Sequence, residues 1–247
     1  MLGRVALVTG AGSGIGLATA LLLARRGCDL IINDIDRGAA EAAAEAVDSA
    51  GRRAHVAAFD VSDVEAVERA VADAEHAVGR IDVLVNNAGV SSVKHRIEDI
   101  DEADFDRMFG VHVKGAFFTT RCVVAGMKRR HYGRIVNVAS NWALAGADFL
   151  SHYCGAKAAL IGLTRAWARE FAPFGIYVNT MVPGTTITPM ITARLSAEEI
   201  GRQESAALLG RWARPEEIAH AIAFLASDDA SATTGQLLVA NCGQNIV

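Results

Sequence analysis

Tyr153 and Lys157 stand four residues apart in a stretch of helical pattern, so they share one helix face. A phenol has an ordinary pKa of about 10, too high for a base near neutrality. An ammonium group held beside it favours the phenolate. Such a pair can exchange a proton with the oxygen of an alcohol or carbonyl. Ser140 lies thirteen residues earlier, just past a β-branched run, and its hydroxyl can hold the same oxygen. An isolated Tyr/Lys pair at this spacing is commonly a surface pair without function. The rest of the chain decides between the two readings.

A second chemical signal lies near the start. Thr9-Gly10-Ala11-Gly12-Ser13-Gly14-Ile15-Gly16 follows an apolar run and opens a helical pattern. Gly10, Gly14 and Gly16 follow G-x-x-x-G-x-G rather than strict G-x-G-x-x-G. The physics is the same: glycines allow a tight turn and let a pyrophosphate approach the backbone, where a helix N-terminus offers free N–H groups. Many strand-to-helix turns carry glycine only for its positive φ. Asp34 separates the cases. It ends the run Leu30-Ile31-Ile32-Asn33-Asp34, eighteen residues past Gly16. An acid there can accept hydrogen bonds from both hydroxyls of an adenosine ribose.

The elements that must position these residues alternate regularly. Short β-branched runs occupy Val5–Thr9, Leu30–Asn33, Ala54–Phe59, Val83–Asn86, Ile135–Val138, Tyr177–Met181 and Gln236–Val239. Helical patterns between them occupy Ile15–Arg26, Ala39–Ala50, Asp63–Val78, Asp104–Arg130, Ala156–Phe174 and Pro215–Ala226. This alternation predicts βαβ units and a parallel sheet with helices on both faces. One excursion, from Pro183 to about Gly210, carries a Ser196-x-x-Glu199 capping box and follows a strand's C-terminal end. Ligands of open α/β sheets bind at such ends, so residues at about 185–210 read as a substrate lid. The chain is 51% hydrophobic, which suits strands covered on both faces. Its 247 residues read as one domain, 1–247.

Composition removes several function classes. The net charge of -4, without blocks of like charge, argues against nucleic acid or membrane surfaces as partners. No apolar stretch is long enough to span a bilayer, and the N-terminus has no signal-peptide pattern. Cys28, Cys122, Cys154 and Cys242 are scattered, without metal or redox spacing, and predict reduced thiols in the cytoplasm. The histidines form no paired-ligand motif, so no metal is expected.

With these motifs in hand, the chain resembles the short-chain dehydrogenase/reductase family in its short single-domain form, over nearly its whole length. Thr9 to Gly16 resembles the family's TGxxxGxG, and Asp60-Val61 its adenine contact. Asn86-Asn87-Ala88-Gly89 is similar to the NNAG that stabilises the sheet and lines the cofactor site. Ser140 with Tyr153-Cys154-Gly155-Ala156-Lys157 resembles the catalytic Ser and YxxxK. Pro183-Gly184-Thr185-Thr186-Ile187-Thr188 is similar to the PGxxxT that holds the nicotinamide carboxamide. Each motif alone is weak, but all of them in order are highly specific. The resemblance implies a Rossmann-type doubly wound sheet of about seven strands. It implies an enzyme that passes a hydride between nicotinamide and a secondary alcohol or ketone, with Tyr153 as acid/base. Lys157 would also bind the nicotinamide ribose, and the cofactor contacts would be Gly10, Ser13, Gly14, Ile15, Gly16, Asp34, Asp60, Val61, Asn87, Ala88, Gly89, Tyr153, Lys157, Pro183, Gly184, Thr186 and Thr188.

Three positions depart from the family pattern. His112 stands where an Asn usually helps hold a water linking Lys to solvent. Two readings stay open: a histidine that holds water and titrates near neutrality, or a satisfied buried histidine with a weakened relay. Ala240-Asn241-Cys242-Gly243 replaces VDGG near the end, which bears on subunit assembly. Cys154 sits beside Tyr153, where small residues are frequent. Asp34 predicts NAD in preference to NADP, because Ile35 and Ser13 supply no phosphate partner; Arg37 is the nearest cation. The alternatives are an NADPH-dependent 3-oxoacyl-thioester reductase and a non-catalytic nicotinamide-binding regulator. Trp142, Leu144, Phe149 and Leu150 predict an apolar substrate wall, with Asn141, His152 and Arg194 as polar contacts and His95 nearby. The long apolar helices Asp104–Arg130 and Ala156–Phe174 predict a homo-oligomer, a tetramer.

Overall fold

A computed structural model describes residues 1–91, 95–193 and 195–246. The first half runs β1 (Val5–Val8), α1 (Gly14–Arg25), β2 (Asp29–Ile32), α2 (Arg37–Ser49), β3 (Ala54–Val56), α3 (Val64–Val78), β4 (Val83–Asn86), α4 (Glu102–Phe109) and α5 (Gly115–Arg130). The second half runs β5 (Gly133–Val138), α6 (Trp142–Ala145), α7 (Ser151–Phe171), β6 (Ile176–Pro183), α8 (Pro189–Thr192), α9 (Ala197–Glu204), α10 (Pro215–Leu225) and β7 (Leu237–Ala240). Among the described residues the strands form one parallel sheet in the order β3-β2-β1-β4-β5-β6-β7. This is the doubly wound Rossmann arrangement, and the strand order reverses between β1 and β4.

Both sheet faces are covered, which is why the strands are continuously apolar rather than alternating. One face packs on α1, α2 and α10, through residues such as Leu23, Val47 and Ile222. The other packs on α3, α5 and α7, through Val71, Met127 and Trp167. The alanine-rich α2 turns Ala40, Ala43, Ala44 and Val47 inward at helical spacing, and Asp36 caps its start by accepting from the Ala39 N–H at 3.2 Å. No helix among the described residues is long and apolar enough to cross a membrane.

Two local features depart from the sequence pattern, and both bear on the site. Helix α7 begins at Ser151, five residues before the predicted start at Ala156. Its N-cap, Leu150, makes no side-chain cap bond, and Ser-His-Tyr-Cys-Gly is a poor helix opener, so the sequence carries no start signal there. The single helix predicted over Asp104–Arg130 is interrupted by a π turn, Gly110–Lys114. The extra residue in that turn sends His112 inward, where it is 2% exposed.

Polar side chains tie the layers together beneath the C-terminal strand ends. Asn86 donates to Asn137 Oδ1 at 2.8 Å and to Thr120 Oγ1 at 3.0 Å. Asn137 donates to Thr164 Oγ1 at 2.8 Å, and Thr180 reaches the same hydroxyl at 2.7 Å. The ladder joins β4, β5 and β6 to α5 and α7. Asn137→Leu should therefore cost about 2 kcal/mol, because it takes one buried partner each from the Asn86 amide and the Thr164 hydroxyl, which keep only Thr120 and Thr180. Urea unfolding should show a lower midpoint at unchanged slope; an unchanged midpoint would show that the ladder does not carry this load.

Candidate active site

The Rossmann topology places one large cleft, of about 460 Å³, across the C-terminal ends of the strands. Its floor is the turn between β1 and α1. Gly10, Ser13, Gly14, Ile15 and Gly16 all line it. At Gly16 a side chain is impossible, since a Cβ would fall 2.0 Å from the Gly10 carbonyl oxygen. Ser13, the N-cap of α1, makes no side-chain cap bond, and the first turn of α1 carries no acid. The helix N-terminus thus opens into the cleft with its donors uncapped, which suits a pyrophosphate. Asn87 fixes the turn from the far side by donating to Thr9 O at 2.9 Å and Gly10 O at 3.0 Å, and Ala88 and Gly89 continue the wall.

Asp34 lines one end of the cleft. Its Oδ2 accepts from the Gly12 N–H at 2.9 Å and its Oδ1 from the Asp36 N–H at 3.1 Å, so the carboxylate is held in place. Arg37 turns to Glu41, 3.8 Å away, and Ile35 is 72% exposed. Asp60, also in the wall with Val61, accepts from the Ser62 N–H and hydroxyl, each at 2.8 Å. Pro183, Gly184, Thr186 and Thr188 line the cleft beyond β6, and Thr186 donates to Gly184 O at 3.0 Å.

Ser140, Tyr153 and Lys157 meet in the same cleft. Ser140 follows β5; Tyr153 and Lys157 stand one turn apart on α7. Lys157 donates to Val138 O at 2.8 Å, and its Nζ lies 5.9 Å from the centre of the Tyr153 ring. Burial lowers the Lys157 pKa from 10.5 to about 7. Burial also raises the Tyr153 pKa, against the nearby Ser140 hydroxyl, which lowers it. Desolvation thus favours the neutral form of each group. The expected stabilisation of a phenolate by Lys157 is not what the free site displays.

His112 stands edge-on to Tyr153, with ring centres 5.5 Å apart. Its Nε2 lies 2.9 Å from Val90 O and 3.3 Å from Val90 N. Burial first, and the Lys157 charge next, hold its pKa well below 6.5. It is a neutral imidazole that bears on the Gly89-Val90 backbone, and it does not titrate near neutrality.

The other end of the cleft is apolar. Trp142, Leu150, Met190 and Ile191 line it with Asn141 and Thr185. Leu144 and Phe149 do not line it, and His152 turns away to Asp104, 3.3 Å from its Oδ2. The His95 N–H donates to Phe149 O at 3.0 Å, outside the cleft lining. Arg194 lies outside the described residues. Sequence reasoning missed Val90 and Ser91, which have no chemical signature, and Gln244, whose contacts depend on the fold of the tail. The Cys154 thiol is pushed up by burial, so it is not a ready nucleophile.

A family model described as enoyl-(acyl carrier protein) reductase matches residues 10–245. The chain is 38% identical over 236 residues to the 3-oxoacyl-[acyl-carrier-protein] reductase of Thermotoga maritima, covering 96% of this chain and 95% of that one. It is 40% identical over 244 residues to the cis-4-hydroxycyclohexanecarboxylate dehydrogenase of Sinomonas cyclohexanicum, covering 99% and 97%. The crystal structure of levodione reductase superposes with a TM-score of 0.95 at 32% identity, covering 99% and 98%.

The lowered Lys157 pKa has a consequence for stability. Between about 7 and 10.5 the unfolded lysine holds a proton that the folded one has lost, so the folded state gains on the unfolded one as pH rises. Below 7 both states are charged and the burial cost is present in full. Denaturation of wild type and Lys157→Met, without dinucleotide, should show the wild type gaining relative to the variant across this window. A constant difference would refute the depressed pKa.

Proposed function

The chain belongs to the short-chain dehydrogenase/reductase family, and from that premise we propose an NAD-dependent enzyme that interconverts a secondary alcohol and its ketone through Tyr153. Its relatives include dehydrogenases and reductases of this kind. The observation that carries the reading is that one cleft gathers an uncapped helix N-terminus, the fixed Asp34 carboxylate and the Ser140–Tyr153–Lys157 group. A nicotinamide dinucleotide bound there supplies hydride exchange with the substrate carbon. The chain's own residues handle the oxygen. Tyr153 gives or takes its proton, Ser140 holds it by hydrogen bond, and Lys157 fixes the ribose and biases Tyr153. His112 props the Gly89-Val90 backbone beside them. The site residues named from the sequence act together in this reading.

We infer further that residues 1–247 work as one dinucleotide-binding oxidoreductase domain. Residues at about 185–210 are its substrate lid, since Pro189, Met190 and Ile191 reach the cleft. The small-molecule substrate is apolar near its reacting carbon, in keeping with Trp142 and Leu150. A homotetramer in the cytoplasm is supported by exposed Phe105 and Phe117 on α4 and α5, and by four free cysteines. A second reading, reduction of a 3-oxoacyl thioester, is favoured by the Thermotoga relative. A parallel panel of secondary alcohols with NAD and 3-oxoacyl thioesters with NADPH separates the two.

Two outcomes test the proposal. Tyr153→Phe should lower turnover by ~10²–10⁴-fold while leaving dinucleotide affinity nearly intact, because the ring fills the volume but has no proton to exchange. Wild-type turnover in that variant would remove Tyr153 from the mechanism.

The second concerns cofactor choice. NADP would set a phosphate against the Asp34 carboxylate, where unit charges at ~4 Å and an effective dielectric of ~20 repel by about 4 kcal/mol. Solvent screening reduces this steeply, yet even about 1.4 kcal/mol gives tenfold discrimination. The ratio of kcat/KM values should favour NAD in the wild type and shift toward NADP in Asp34→Ala/Ile35→Arg. A wild-type preference for NADP, or no shift, would defeat the assignment of Asp34.

A further inference from the structure

After β7 the chain reverses sharply at Asn241–Gln244. The Gln244 N–H donates to Asn241 O at 3.0 Å, and the two residues between have positive φ, +53° at Cys242 and +77° at Gly243. Positive φ at both central positions marks a mirror-image turn, a conformation in which cysteine is strained. Asn241 holds it from both sides: its Oδ1 accepts from the Gly243 N–H at 2.9 Å and its Nδ2 donates to Asn245 O at 2.8 Å. A carboxylate in its place could make only the first of these bonds.

The turn delivers one side chain behind the cleft wall, against Thr185 and Asn141, which line it. Gln244 Oε1 accepts from the Thr185 N–H at 2.7 Å and from Asn141 Nδ2 at 3.3 Å. Asn141 is 2% exposed, and its Oδ1 lies 3.4 Å from the Ser140 hydroxyl. The fit is close. A Cβ on Gly184 would stand 2.5 Å from Gln244 Oε1 and 2.7 Å from Asn241 Cα. The glycine at 184 is thus required by the tail that packs on it, whatever else binds there. The lid's trailing end rests on the same turn, through Leu209 N–H to Cys242 O at 3.1 Å.

We propose that Gln244 is a positioning residue for the reaction. Its single oxygen sets both Asn141, and through it Ser140, and the Thr185 backbone of the loop lining the cofactor cleft. The inference rests on the reading of this cleft as an oxidoreductase site. Ser140 acts where charge changes on the substrate oxygen, so its misplacement should appear in kcat rather than KM.

The test uses Gln244→Met, which keeps length but has no amide acceptor, and Gln244→Glu, which keeps acceptor oxygens. Removing one such hydrogen bond is worth about tenfold. The Met variant should lose about tenfold in kcat, with KM for the alcohol changed less than twofold. Its Thr185 amide, measured by hydrogen exchange without dinucleotide, should exchange about tenfold faster. The Glu variant should restore both. Wild-type kcat and exchange in the Met variant, or a Glu variant no better than Met, would overturn the proposal. Should the Met variant fail to fold, Asn241→Asp removes the donor to Asn245 O and should change both readouts in the same direction; wild-type values there overturn it equally. If the wild type turns over no secondary alcohol, the oxidoreductase reading fails, and Thr185 exchange still decides whether Gln244 holds the loop.

Discussion

A single buried amide, Asn137, fixes where the rest of the site can be. It is fully buried on β5 and bonded on one side to Asn86 of β4 and on the other to Thr164 of α7. Apolar packing holds α7 against the sheet but is indifferent to small slides along the helix axis. Directional hydrogen bonds are not. Thr164 lies about two turns from Lys157 on α7, so the bond that sets Thr164 on β5 also sets how far Lys157 and Tyr153 project beyond the strand ends. Asn86 carries the same registration to the Asn87-Ala88-Gly89 wall. Replacing such a ladder by leucines would preserve the core and lose the alignment.

Within that frame, burial governs the chemistry. Burial pushes both Lys157 and Tyr153 toward their neutral forms. His112 adds a shape constraint instead of a charge. A side-chain amide can donate to a carbonyl and accept from an N–H at once. One imidazole nitrogen facing both Val90 O and Val90 N satisfies one of them in each tautomer. In either tautomer the ring anchors the Val90 backbone and gives Tyr153 an aromatic edge to rest on.

Much of this was legible in the sequence, for identifiable reasons. Strands buried on both faces are continuous apolar runs, so all seven were found within a few residues of their bounds. The glycine turn, Asp34 and the Tyr153/Lys157 pair are local patterns in which the chemistry dictates residue type and spacing, and the fold brings them into one cleft. The capping box at Ser196 was read because both of its bonds join residues three apart. What escaped was set by tertiary contact. The first turn of α7 has no side-chain cap, and the π turn at His112 comes from packing rather than propensity. His152, expected in the substrate pocket, is drawn to Asp104 on a helix far away in sequence. Gln244 meets Thr185 across fifty-nine residues, through a turn that needs a strained Cys242.

The strand order also gives the cleft a direction. The acids Asp34 and Asp60 follow β2 and β3 on one side of the switch point, whereas Trp142, Leu150 and Met190 come from segments after β5 and β6 on the other. A ligand with a polar, hydroxyl-rich end and a flat ring at the other can lie along this gradient in one sense only. Reversed, it would set its more polar end against Trp142 and Leu150 and leave the carboxylates beside its less polar one. The uncapped start of α1 lies between the two ends, where the pyrophosphate of such a ligand would fall. Orientation is therefore set before any contact at the reacting carbon, and Ser140, Tyr153 and Lys157 need only be held at the apolar end. That is where the Asn137 ladder and the C-terminal turn both deliver their bonds.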